Sequence, residues 1–391
     1  MAFENLTDSA PAGGISPESA AHWTEAKGSA LLDLLRAACA LRDEAKGDTV
    51  TYSRKVFIPL TNLCRDDCGY CTFKRDPGQP GAKTLSPDEV LEIARRGAAS
   101  GCKEALFSLG DKPELRFPEA AQELAKYGYR TTVEYLVAMC QRVFEETGLL
   151  PHANPGTLSR REVAQLGEWC PSIGIMLENL TPRLREPGMA HAAAPDKAPG
   201  ARMATLRFAG EQRIPFTTGL LVGIGETPQE RVETLFEIKR LHETHGHIQE
   251  VIIQNFRAKP EIPMADWPDA TLTDLLRTIA LARLILGGEM NIQAPPNLTP
   301  EVYPLLLLAG INDWGGVSPV TPDHINPEAP WPEIEALARH SAEAGYKLRE
   351  RLTVYPEFIT QKSGFLRENL KDAVAALADA DGYAITHEKR P

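Results

Sequence analysis

Residues 56–71 read VFIPLTNLCRDDCGYC: an apolar, β-branched run that gives way after Asn62 to a polar loop carrying Cys64, Cys68 and Cys71. The run has the length and composition of a buried strand. A strand whose carboxyl end opens directly into a chemically loaded loop is the habit of a (β/α) barrel, where function collects in the loops after the strands. The fold expected is therefore α/β, a TIM-type (β/α) barrel, full or partial, with the cysteine loop after its first strand.

Working outward from that stretch, further strands are expected at 104–110, 149–155, 172–179, 216–225, 250–256, 291–297 and, weakly, 313–318. Amphipathic segments at 86–100, 131–148, 159–170, 227–243 and 271–288 fall between them. The first of these opens with Ser86 as cap, Pro87 in the first turn and Glu89 three residues after the cap. Strict strand–helix alternation implies parallel pairing. A doubly wound open sheet lacks its usual sign here, since no G-x-G-x-x-G follows the first strand. The polar and glycine-rich words also fall after the strands: GDKPE at 110–114, GIGET at 223–227, QNFRAKP at 254–260 and QAPPN at 293–297. The organisation expected is a flexible segment over 1–27, a lead-in helix within 28–50, a barrel over 51–370 and a C-terminal helix and tail over 371–391.

A net charge of −11 lacks the basic footprint that nucleic acid requires. No stretch reaches the roughly 18 uncharged apolar residues of a membrane span, and MAFENLTDSAPAGG is not a signal peptide. A cytoplasmic protein acting on a small molecule is expected, with neither nucleic acid nor membrane as partner. Of seven cysteines only three cluster, which suits metal binding in a reducing compartment. Cys39, Cys102, Cys140 and Cys170 read as small buried hydrophobes.

Three thiolates at C-x3-C-x2-C spacing can wrap three irons of a [4Fe–4S] cluster, leaving the fourth iron open to S-adenosylmethionine (SAM). Structural zinc would need a fourth ligand from far along the chain, such as Cys102 or His152. That alternative, a non-catalytic zinc or iron–sulfur protein, stays open on spacing alone.

The cysteine spacing, with Tyr70 before the last Cys, resembles the radical SAM superfamily. The words YSRKVFIPLTNLCRDDCGYCTF (52–73), FSLGDKPE (107–114) and GINDWGGVSPVTPDHINPEAPWP (310–332) are similar to the deazaflavin-forming subunits of FO synthase, over about residues 50–370. The resemblance implies a radical SAM lyase of coenzyme F-420 biosynthesis, whose cofactors are a [4Fe–4S] cluster and SAM. Its product would be 7,8-didemethyl-8-hydroxy-5-deazariboflavin (FO), made with release of ammonia from 5-amino-5-(4-hydroxybenzyl)-6-(D-ribitylimino)-5,6-dihydrouracil. At 391 residues the sequence is too short for a second barrel unless it is a piece of a longer chain. A partner FO synthase subunit supplying the tyrosine–uracil adduct is therefore expected, with a reductant such as ferredoxin or flavodoxin. The competing reading is another radical SAM barrel, of menaquinone- or thiamine-pathway type.

Residue by residue, the resemblance implies that Cys64, Cys68 and Cys71 ligate the cluster and that Tyr70 packs on the adenine side of SAM. Gly110, Asp111 and Glu114 would meet the SAM ammonium, Glu178 its ribose, and Gly223 and Gly225 its adenosyl moiety. Asn255, Gln293, Asn312 and Asp313 are expected to bind substrate, and Asp323 and His324 to move protons.

Overall fold

The computed structural model describes residues 14–362 and 364–386. Eight parallel strands close into a barrel: β1 Thr49–Thr61, β2 Glu104–Leu109, β3 Leu150–Asn154, β4 Ser172–Gly174, β5 Phe216–Val222, β6 Ile248–Asn255, β7 Asn291–Gln293 and β8 Asp313–Val317. The order runs consecutively from β2 to β8 and then to β1, and β1 also pairs with β2, which closes the ring. Helices pack around it, among them Pro87–Ala99, Thr132–Thr147, Arg160–Gly167, Pro199–Glu211, Pro228–His245 and Leu272–Leu286. Their starts follow local chemistry. Ser86, Ser159 and Thr227 each form a full capping box with the Glu three residues on.

Several strands are shorter than the sequence suggests, β4, β5 and β7 ending at Gly174, Val222 and Gln293, whereas β1 is longer. Strand β1 begins at Thr49, seven residues early. Its lower half pairs with a ninth strand, β9 Lys347–Glu350, through Thr49–Tyr52, while Lys55–Thr61 pair with β2. The polar residues of TVTYSRK hid this, because Ser53 and Lys55 point into the barrel and find partners there. Beyond β9 the chain crosses the lower end of the barrel. Arg351 bonds to Glu250 of β6 and Asp313 of β8, and Thr353 accepts from Ser172 of β4 and Gln249 of β6. A small second core of Leu352, Val354, Tyr355, Phe358 and Phe365 sits beneath.

The expectation of a flexible segment over 1–27 is corrected for its latter part. Pro17–Trp23 is a helix capped by the Ser16 side chain, and Ile15 and Trp23 are buried. Ile15 N–H donates to the Leu284 carbonyl and Arg277 reaches the Ala26 carbonyl, so this segment is tied to helix Leu272–Leu286. Residues 1–13 lie outside the described residues. The expected lead-in helix spans Ser29–Lys46, and the last helix spans Glu368–Leu377.

Candidate active site

A cavity of about 360 Å³ opens at the carboxyl ends of the strands and descends into the barrel. Cys64, Cys68 and Cys71 sit on its lining, each partly exposed and without a disulfide. Their loop is held from several sides. Arg65 N–H donates to the Asp111 carbonyl, Asp67 N–H to Ala193, Gly69 N–H to Ala190, and Met264 N–H to Gly69. Asp111 N–H points at the Cys64 sulfur, 3.2 Å away. Gly110 allows this close approach of β2 to the loop, since a Cβ there would sit 1.9 Å from the Leu63 carbonyl oxygen.

Burial pushes the Cys64 thiol up to about 12 and raises Cys68 as well. Without a cation these sulfurs stay protonated at neutral pH. A metal group supplies the charge that makes thiolates favourable there. A tetrahedral zinc would draw its sulfurs to about 3.8 Å of one another. Among the described residues the three thiols form no set converging within 4.8 Å, whereas Asp66, Asp111 and Asp196 do. Wider spacing suits a multi-iron cluster, and three carboxylates beside it suit a cationic ligand. Glu178 is 5% exposed and lines the cavity at φ 61°, a left-handed conformation unusual for a residue with a side chain. Its Oε1 accepts from Lys197 Nζ at 2.8 Å and from the Tyr70 hydroxyl at 3.3 Å, while its buried Oε2 has no partner. An orphaned carboxylate oxygen at the rim fits a ligand hydroxyl.

Gly110, Asp111, Tyr70, Glu178, Asn255, Gln293 and Asp323 line the cavity with the cysteines. Tyr70 spends its hydroxyl on Glu178 and on His191, whose Nε2 is 3.1 Å away. Other expected residues lie elsewhere. Glu114 binds Thr132 through both oxygens and anchors a helix start. Gly223 N–H is held by Glu226, and Gly225 makes room for Trp267 and Met189, so neither glycine lines the cavity. Asn312 is buried against Arg283, Ile292 N–H and Asn291. Asp313 holds Arg351 with both oxygens at 2.6 and 2.9 Å. Neither lines the cavity, since both sit at the lower end of β8. Asp323 has its carboxylate committed to Asn297, Asn326 and the Ile325 and Asn326 N–H groups. His324 is outside the lining, with burial lowering its pKa. Of this pair, then, Asp323 alone borders the cavity, and the PDHINP turn that carries both folds over the mouth. Ile325 carbonyl accepts from Thr72, Asn326 from Lys259, and Trp331 stacks on Phe57 at 5.0 Å.

Sequence reasoning missed Lys55, Glu104, Glu250 and Arg351 inside the barrel, and weighed His152 only as a zinc ligand. Lys55, Glu104, His152 and Glu250 are charged or titratable residues within strands, which was the available signal.

A profile of the Radical SAM superfamily matches residues 58–238, from within β1 into helix Pro228–His245. Barrel, three-thiol loop and profile together define a radical SAM enzyme. The 7,8-didemethyl-8-hydroxy-5-deazariboflavin synthase of Methanopyrus kandleri is 53% identical over 335 residues, covering 86% of this chain and 99% of that one. The chain belongs to the 7,8-didemethyl-8-hydroxy-5-deazariboflavin synthase family. The FO synthases of Streptomyces avermitilis and Mycobacterium tuberculosis are 52% and 49% identical, covering 92% and 95% of this chain. The chain spans only 43% and 45% of those two proteins. Among solved structures, the hydrogenase maturase HydG aligns at TM-score 0.72 with 17% identity, covering 89% of this chain and 75% of that one. Methylornithine synthase PylB aligns at 0.68 with 18% identity, covering 88% and 96%. At such identities these two establish the barrel alone. Among the described residues no helix is long and apolar enough to cross a membrane.

Proposed function

We propose that this chain forms FO from 5-amino-5-(4-hydroxybenzyl)-6-(D-ribitylimino)-5,6-dihydrouracil with release of ammonia. The observation that supports this most is the 53% identity along nearly the whole Methanopyrus kandleri enzyme, in a chain whose three-thiol loop borders a deep cavity. When bound, the cluster and SAM supply a 5′-deoxyadenosyl radical that takes a hydrogen atom from the substrate. The chain's own residues then do four things. Cys64, Cys68 and Cys71 hold the iron. Asp66, Asp111 and Asp196 provide a negative surface for the cationic end of SAM. Glu178, with its free Oε2, accepts from a ribose hydroxyl, fixed in place by Lys197 and Tyr70. Phe57, Phe73, Phe256 and Trp331 keep water from the reacting centre.

Asn255 and Gln293 lie on the lining where they can meet substrate. A second FO synthase half, matching the portion of the longer relatives that this chain does not span, would supply the adduct. The electron would come from a ferredoxin or flavodoxin in a reducing cytoplasm. The test is product analysis without oxygen. Adduct, SAM and a strong reductant should yield the fluorescence of FO and one 5′-deoxyadenosine per turnover with the wild-type chain. Cys68→Ala should remain folded by circular dichroism yet make neither. Deoxyadenosine from that variant would remove the cluster assignment, and no FO from wild type would remove the substrate.

A further inference from the structure

The interior of a (β/α) barrel is ordinarily filled by layers of branched apolar side chains. This one is layered differently. Side chains two residues apart on a strand share a face, so inward positions can be followed upward from the floor. Lys55, Glu104 and Glu250 form the lowest layer lining the cavity. Two residues on, Phe57, Leu106 and Ile252 form an apolar band, and Ser108 and Gln254 follow at the rim. Floor to rim is about 13 Å at the rise of a strand.

The floor is a network of fixed donors and acceptors. Lys55 Nζ donates to Glu104 at 2.8 Å and Ser53 Oγ donates to the same carboxylate at 2.5 Å. Arg351 and Tyr355 donate to Glu250 at 3.0 and 2.9 Å, and Thr217 Oγ1 donates to it at 2.9 Å. His152 Nδ1 lies 2.7 Å from Ser172 Oγ. Ser172 Oγ also meets the Thr353 carbonyl and hydroxyl, each at 2.8 Å, which holds the ring in place. Gly316 makes room for this arrangement, since a Cβ there would sit 2.3 Å from Lys55 Cε.

Its charges nearly cancel. Lys55 and Arg351 stand against Glu104, Glu250 and Asp313. Burial drives His152 down to about 4, so it stays neutral. Burial also raises Glu250, with Arg351 opposing and Asp313 reinforcing the rise. There is no excess positive charge to hold a phosphate or carboxylate. Burying this many charged groups along an open cavity is expensive unless their remaining valences are used. Hydroxyl groups, which both donate and accept, match such a mixed surface.

We propose that Lys55, Glu104, His152, Thr217, Glu250 and Arg351 form a subsite for an uncharged polyhydroxyl chain, the ribityl arm of the substrate. The arm descends into the floor, the uracil ring occupies the apolar band, and the hydroxybenzyl group is left near the cysteine loop. This rests on the FO-forming reading. It places sugar recognition at the barrel floor.

The test crosses two ligands with two variants of the cluster-loaded enzyme. The probes are a 6-(D-ribitylamino)uracil and the same uracil bearing a 6-methylamino group, with binding measured by calorimetry in the presence of SAM. Wild type should bind the ribityl probe at least about tenfold tighter, since a site built for hydroxyls rejects an analogue lacking them. Lys55→Met with Glu104→Gln removes the ion pair without leaving a lone buried charge. Gly316→Ala keeps both charges but displaces Lys55. Each should erase most of the ribityl advantage while leaving the methylamino probe and SAM affinity unchanged, and Gly316→Ala remains informative should the double variant fail to fold. Equal wild-type affinity for the two probes would overturn the subsite, as would equal loss of both probes in Gly316→Ala. FO formation is measured in parallel. FO made with no ribityl advantage sinks the subsite alone, and a floor-dependent ribityl advantage with no FO sinks the reaction alone.

Discussion

Glu178 concentrates several unusual properties in one side chain. It adopts a left-handed backbone conformation, is buried, and keeps one carboxylate oxygen without a partner while the other serves Tyr70 and Lys197. Residues held in such conformations gather at ligand sites because surrounding structure must over-determine them. Glu178→Gln preserves shape and removes the charge. A charged hydrogen bond to a ribose hydroxyl contributes about 1.5 kcal/mol or more, so SAM affinity should fall roughly tenfold. Equilibrium dialysis with the cluster-loaded protein measures this, and unchanged affinity would take Glu178 out of the site. The sequence signalled this residue and the cysteines because each sits at a strand end and carries chemistry a surface turn does not need. The same reasoning put Asn312 and Asp313 at the site, and neither lines the cavity. Both occupy a family-like word, but the word begins at the lower end of β8, and strand direction rather than motif decides which residues meet a ligand.

At the scale of elements, the cluster loop depends on how tightly β1 and β2 converge. Gly110 follows β2, and a Cβ there would overlap the Leu63 carbonyl and press on Cys64 Cβ at 2.7 Å. Gly110→Ala must push the loop outward. Overpacking of this kind costs about 1–3 kcal/mol, and here the strain falls on the ligand-bearing loop rather than on the barrel. The expected result is a modest drop in melting temperature with a large loss of iron after anaerobic reconstitution. Full iron content with wild-type SAM cleavage would contradict the steric argument. Helix starts were readable because caps are local chemistry: Ser86, Ser159 and Thr227 each carry their Glu partner three residues on. Strand extents were not. The lower half of β1, TVTY, and the four-residue β9, KLRE, are short mixed stretches, and they pair with each other across nearly 300 residues, beyond the reach of any local pattern.

Across the whole molecule, polar contacts and buried histidines lie at positions that no local sequence pattern marks. His247 is one of them. It is fully buried, its Nε2 donates to the Leu206 carbonyl at 2.9 Å, and its Nδ1 has no partner. Burial, reinforced by His242 and His245, drives its pKa down to about 3. The folded value lies below the ordinary 6.5, so the unfolded chain binds the extra proton. Stability from this residue is intact above about pH 6.5 and is lost as pH falls from there toward 3. At pH 5 the loss amounts to about 2 kcal/mol. His247→Gln keeps a donor toward Leu206 and cannot titrate. Urea denaturation at pH 7.5 and pH 5.0, on cluster-loaded wild type and variant side by side, isolates this residue from every other acid effect. The variant should lose about 2 kcal/mol less between the two pH values, and parallel losses would mean that His247 charges freely within the fold.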